Sequence, residues 1–174
     1  ITDASLSELE GHLKELNHLC EVICSVGDNE EARLAPMRDW MCVDLNFHMA
    51  LLRAARNQSV IRALSEANVL TRMFSYRTDL PTVWRDSKFI VANYTVHSKL
   101  FEAIQQHDAK AAKRAMAIHM KRAEKNTLAR FDWLEQERLA GSQRSNEFPD
   151  SLRQQVLEIE RRNINRGETR PDSA

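Results

Sequence analysis

Four polar side chains stand where helical spacing calls for apolar ones: Asp44, His48, His97 and His119. Asp44 and His48 are one helical turn apart, so on a helix they point the same way and form a two-ligand clip. Trp40, Phe47, Leu51 and Ala55 share their stripe, which turns the clip toward the core. A carboxylate buried without a partner costs several kcal/mol or takes up a proton, so Asp44 calls for a cation, either an arginine or a metal ion. His97 interrupts the stripe Ile90, Tyr94, Phe101 and Ile104, and His119 interrupts Ala112, Ala115, Met116 and Ala123. One inward histidine is more often a hydrogen-bonded core residue than a ligand. Three helices making the same unusual choice set one shared divalent ion beside separate core histidines as two open readings of the spacing. Three imidazoles and a carboxylate suit borderline metals, zinc or nickel first and then manganese, and the lack of a thiolate argues against a structural zinc–cysteine site.

The elements that must position these groups read as helices. Four Gly and four Pro in 174 residues leave little punctuation for an all-β fold. The expected class is all-α, an antiparallel bundle of about six to seven helices. Thr2-Asp3-Ala4-Ser5 opens the first, with Leu6, Leu9, Leu13, Leu16 and Cys20 inward up to Val26-Gly27-Asp28. The second begins after Pro36 and ends near Asn57; a third covers Gln58 to Tyr76, before Asp79-Leu80-Pro81. The fourth starts near Trp84 and ends at Gln105-Gln106-His107, where Asp108 caps the fifth. Gly141 to Asn146 reads as a linker, followed by an amphipathic helix with Leu152, Val156, Leu157 and Ile159 inward, and a frayed tail from Asn165. Residues 1–140 are thus expected to form the bundle, and 141–174 a linker, last helix and tail.

Twenty-five basic residues balance 25 acidic ones, so the summed field offers no general attraction for nucleic acid or an anionic membrane. No apolar run nears the length of a membrane span and the first residues lack a signal-peptide pattern, so a cytoplasmic protein is expected. Cys20, Cys24 and Cys42 are an odd number and read as reduced thiols.

Asp44-Leu-Asn-Phe47-His48, followed by Leu51 and Ala54-Ala55-Arg56-Asn57, resembles the signature of the FadR-type C-terminal (FCD) domain of the GntR family of transcription regulators. His97-Ser-Lys-Leu-Phe-Glu102-Ala103-Ile104, then Asp108, Ala111-Ala112, Ala115-Met116 and His119, resembles that domain's closing pair of helices in residue type and spacing. The likeness spans about residues 2 to 125. It implies a helical bundle that dimerises, binds a metal ion through an aspartate and three histidines, and senses a small organic acid. The matching positions are Asp44, His48, His97 and His119. Family members carry a winged helix-turn-helix domain ahead of this region. Nothing of that kind precedes Ile1, so DNA binding is expected only through a domain outside this chain. The helix whose arginine commonly helps hold the effector has no counterpart either, and the last amphipathic helix is a candidate to cover the surface it would have covered.

Weaker candidates surround the four. Arg72 and Arg77, with Ser65, Asn68 and Ser75 beside them, could meet an anionic effector or simply form a solvated face. Asn57 could contact the pocket or cap its own helix, and Trp84 could wall the cavity or pack. Cys20 and Cys24, one turn apart, read as core thiols before metal ligands. The alternative function is a metal-dependent enzyme on a helical bundle. It lacks an evident base, since Glu102 is five residues from His97 and expected to face away, so no enzymatic activity is expected. A ferritin-like carboxylate centre needs two Glu-x-x-His pairs, and only Glu15-Leu-Asn-His18 fits.

Overall fold

The computed structural model describes residues 1–27, 29–57, 59–60, 87–139, 154–155, 157–159 and 161–162, and among these no strand occurs. The class is all-α. The expected third helix from Gln58 to Tyr76, the 141–146 linker, the tail, and Arg72, Arg77 and Trp84 lie outside the described residues.

Helix α1 spans Asp3–Ser25, and Thr2 caps it by accepting from the Ser5 amide at 3.2 Å. Leu9, Leu13, Leu16, Cys20 and Ile23 are its buried residues, alternating four and three apart, which is the seam of a helix that packs along its whole length. The chain turns at Gly27, whose φ of +58° is the left-handed conformation that glycine adopts without strain.

Helix α2 spans Glu30–Ala54 and keeps Pro36 inside it, so it starts six residues earlier than the proline predicts. Proline removes the amide that would bond the Ala32 carbonyl, at about 3 kcal/mol in a helix interior. Two features offset the loss. Asn29 accepts from the Ala32 amide at 3.1 Å, and Arg33, Met37 and Trp40 are buried on one stripe across the proline. Farther along, Met41, Val43, Leu45, Met49 and Ala50 are buried too, so α2 is covered on more than the one face its sequence advertises.

Helix α3 spans Ser87–Gln105, with Ile90, Val96, His97, Leu100, Phe101 and Ala103 buried. At its end His107 takes a φ of 55°, and the His107 and Asp108 amides donate to the Ile104 and Ala103 carbonyls. Asp108 then caps helix α4, Ala109–Leu139, by accepting from the Ala111 amide at 2.9 Å. One residue thus closes one helix and opens the next. Ala112, Ala115, Met116, His119 and Ala123 form the half-buried face of α4, as their spacing predicts.

Helix α1 packs against both α2 and α3, and α4 packs on α3. Short turns make α1 antiparallel to α2 and α3 antiparallel to α4. Arg33 donates to the Ser87 hydroxyl near the start of α2 and α3, and Asp44 meets His97 near their middles, so these two helices run parallel. The described residues between 154 and 162 are helical, Ile159 enters the same core, and the Cys42 thiol donates to the Gln155 side-chain oxygen. Cys20, Cys24 and Cys42 are unbridged, and burial pushes the Cys20 and Cys42 thiols up to about 11.

Candidate metal centre

Three helices converge on one point. Helix α2 brings Asp44 and His48, α3 brings His97, and α4 brings His119, carried opposite His97 by the tight α3–α4 turn. The His48–His97, His48–His119 and His97–His119 ring centroids are 4.9, 4.9 and 4.8 Å apart, a nearly equilateral triangle. Among the described residues these three imidazoles are the one group of three or more such side chains whose ligand atoms all lie within 4.8 Å of one another. Asp44 sits at the edge of the triangle, with Oδ1 3.2 Å from His97 Nε2 and Oδ2 3.8 Å from His48 Nε2.

The hydrogen bonds fix which atoms face inward. His97 Nδ1 lies 2.8 Å from the Asn93 carbonyl, one turn back on α3. A carbonyl only accepts, so Nδ1 carries a proton there and Nε2 is the ring atom turned toward Asp44. That nitrogen is 3.1 Å from His48 Nε2. Asp44 Oδ1 is buried and has no hydrogen-bond partner. A buried carboxylate oxygen that no hydrogen bond satisfies is costly, and a cation shared with the ring nitrogens beside it offsets that cost. The 3.1 and 3.2 Å contacts of His97 Nε2 fit as well: two donors each about 2.0–2.1 Å from one ion lie roughly 2.8–3.4 Å apart at octahedral to tetrahedral angles.

Electrostatics agree with a cation-seeking cluster. Burial raises the Asp44 carboxyl above its ordinary range, only partly opposed by His97 and His119. Burial, then the neighbouring His97, pushes His48 down to about 3. Burial, followed by His48 and His97, lowers His119 to about 4, with Asp44 acting the other way. Both imidazoles are therefore neutral near pH 7, the state in which they ligate. Phe47 is fully buried and sets its ring edgewise to His97 at 4.9 Å and to His48 at 5.8 Å, walling the cluster. His97 is 1% exposed while the His48 side chain is 25% exposed, so the cluster opens toward the α2–α4 side.

These shifts predict acid sensitivity in the metal-free protein. His48 and His119 have folded values below the ordinary 6.5, so the unfolded chain takes up their protons first. Their contribution is complete above about pH 6.5 and is lost as pH falls toward 4 and then 3. Asp44, raised in the fold, has the opposite sign, but two imidazoles outweigh one carboxylate. The melting temperature of chelator-treated protein is expected to fall between pH 7 and 5, and to fall less in a His48→Gln variant. Equal slopes in the two proteins would show that His48 is not held neutral by the fold.

The other sequence candidates fall elsewhere. Asn57 is exposed, nine positions past His48, and its side-chain oxygen accepts from the Val60 amide at 3.1 Å. It caps the segment that follows; the left-handed residue ending α2 is Arg56, with φ 52°. Glu102, Glu15 and His18 are exposed, so neither the base of an enzyme reading nor the Glu-x-x-His pair of a carboxylate centre lies at the cluster. Two participants escape sequence reasoning. The Asn93 carbonyl is a backbone group, recognisable only as the position one turn before His97. Arg122, which donates to the Ala92 carbonyl at 3.1 Å, is tied to α3 across 30 residues.

The family model described as the FCD domain matches residues 1–122. No curated protein and no solved structure gives a significant match.

Proposed function

The chain belongs to the FCD domain family, the C-terminal, effector-binding domain of GntR/FadR-type regulators, and from that premise we propose that Asp44, His48, His97 and His119 hold one divalent metal ion, zinc or nickel, at which a small organic acid is sensed. The observation that carries this reading is the meeting of three imidazoles from three helices beside Asp44, whose buried Oδ1 has no hydrogen-bond partner and lies 3.2 Å from His97 Nε2.

Each residue has a task. Asn93 holds the His97 ring in one tautomer, as second-shell carbonyls do for metal-ligating histidines. Asp44 offsets part of the cation's charge, and His48 and His119 complete the donor set from the side that solvent reaches. A bound divalent ion supplies a Lewis-acidic position where an effector carboxylate or hydroxyl replaces water. Ligands drawn from three helices couple α2, α3 and α4, so an effector that prefers one arrangement biases the bundle. In a complete regulator that bias passes through a homodimer to two DNA-binding heads and changes their spacing on an operator. No helix among the described residues is long and apolar enough to cross a membrane, in keeping with a cytoplasmic sensor.

The test is elemental analysis joined to native mass spectrometry on protein incubated with zinc or nickel and then desalted. One ion per chain and a dimer mass are expected, with any retained acid visible as added mass. Two ions per chain would favour a carboxylate centre instead, and none would remove the metal from the reading.

A further inference from the structure

Arg122 is one turn beyond His119 on α4 and donates through Nη1 to the Ala92 carbonyl of α3. The next carbonyl along α3, that of Asn93, receives the Nδ1 proton of His97. Two consecutive backbone oxygens therefore hold a proposed metal ligand and a guanidinium, and this fixes the arginine's position relative to the cluster. Arg122 is exposed, and no ion pair of the described residues involves it. Its charge is felt at His119, where it disfavours protonation. Among the described residues the one bond to Ala92 leaves the rest of a five-donor fork unused, one turn along α4 from His119.

We infer that Arg122 selects the effector: it receives a second anionic group of an acid whose first carboxylate is held at the metal, so this chain prefers dicarboxylates to monocarboxylates. The inference rests on the metal-and-acid reading above and adds to it the class of acid and the residue that chooses it. A divalent ion with one carboxylate and three neutral imidazoles leaves one net positive charge, which a single carboxylate neutralises. The guanidinium adds a second positive charge at a fixed place, and a second carboxylate satisfies it with charge-assisted, geometrically matched hydrogen bonds. Lysine would keep the charge without the fork, so Arg122→Lys should fall between the parent and a neutral variant.

The experiment titrates zinc-loaded parent, Arg122→Gln and Arg122→Lys with succinate and with acetate by calorimetry, after elemental analysis and circular dichroism on each protein. The parent is expected to bind succinate more tightly than acetate. Arg122→Gln should lose about tenfold in succinate affinity while acetate changes by less than about threefold. Zinc content should stay at one per chain in all three, because Arg122 is not a ligand. Succinate binding that survives in Arg122→Gln, or a parent without preference between the acids, overturns the inference and leaves the metal-and-acid reading intact. A zinc-loaded parent that binds neither acid overturns the acid-sensing reading and this inference with it. Should Arg122→Gln lose its fold, Arg122→Lys supplies the comparison, and an unchanged preference there argues for charge alone and against the fork.

Discussion

Protein in which His97 is replaced by alanine is expected to emerge from zinc loading and desalting without metal, and to melt at one temperature whether or not a chelator is present. His97 has the most complete set of interactions in the cluster: Nδ1 bonds the Asn93 carbonyl, and Nε2 lies 3.1 Å from His48 and 3.2 Å from Asp44. Disturbing an outer-shell partner alone weakens a metal site about 10–100-fold, so removing this ligand should exceed the upper end of that range. A ligand at about 100 times its dissociation constant stabilises the fold by about 2.7 kcal/mol, or roughly 5–10 °C for a chain of this size. The parent should therefore lose that margin on chelation, and the variant should show no such loss. The variant also leaves a void beside Phe47, with a further cost of about 2–5 kcal/mol. His119→Ala, at a half-buried position, separates the two effects, since it should lose metal with a smaller cavity cost. A His97→Ala protein as zinc-rich as the parent would refute the ligand assignment.

Replacing Asp44 by asparagine should change stability in opposite directions in the two metal states. Without metal, Asp44 is a desolvated carboxylate with a partnerless oxygen, and asparagine keeps its shape while removing the charge. The metal-free variant is expected to be more stable than the metal-free parent by about 1–3 kcal/mol. With zinc present the order reverses, because the variant forfeits the anionic ligand and most of the metal-linked stabilisation. Thermal melts of both proteins with zinc and with chelator supply the four values needed. A variant less stable than the parent under both conditions would mean that Asp44 has a hydrogen-bonding role independent of metal.

How much of this was legible in the sequence varies with the kind of interaction. The four central residues were readable because each breaks an otherwise apolar stripe, and a broken stripe is visible at helical spacing. Thr2 and Asp108 were readable as caps because capping is local chemistry. The beginning of α2 was not: Pro36 is a strong local stop, and what overrides it is the tertiary burial of Arg33, Met37 and Trp40. Nor was the breadth of α2's burial, because Val43, Leu45 and Met49 lie off the stripe of Trp40, Phe47 and Leu51 and acquire cover only from neighbouring elements. Asn57 shows a different limit, since asparagine serves either end of a helix and only the backbone reveals which one it caps. The bond between Arg122 and Ala92 joins a side chain to a backbone atom on another helix, and no sequence period encodes it.

The double use of Asp108 bears on the order of assembly. Helices α3 and α4 are joined by so tight a connection that their pairing closes a loop of only a few residues, an event on the scale of microseconds or faster. Joining α2 to α3, by contrast, requires the chain to return across the 49 positions between His48 and His97, at an entropic cost that rises by about 0.6 kcal/mol for each doubling of the loop. The expected order therefore brings His97 and His119 face to face first and the clip from α2 afterwards, which phi-value analysis of the two helix pairs checks. Contacts made after the rate-limiting barrier slow unfolding and leave the folding rate nearly unchanged. In the proposed holoprotein, then, the ion acts chiefly as a latch, lengthening the lifetime of the native state without hastening its formation.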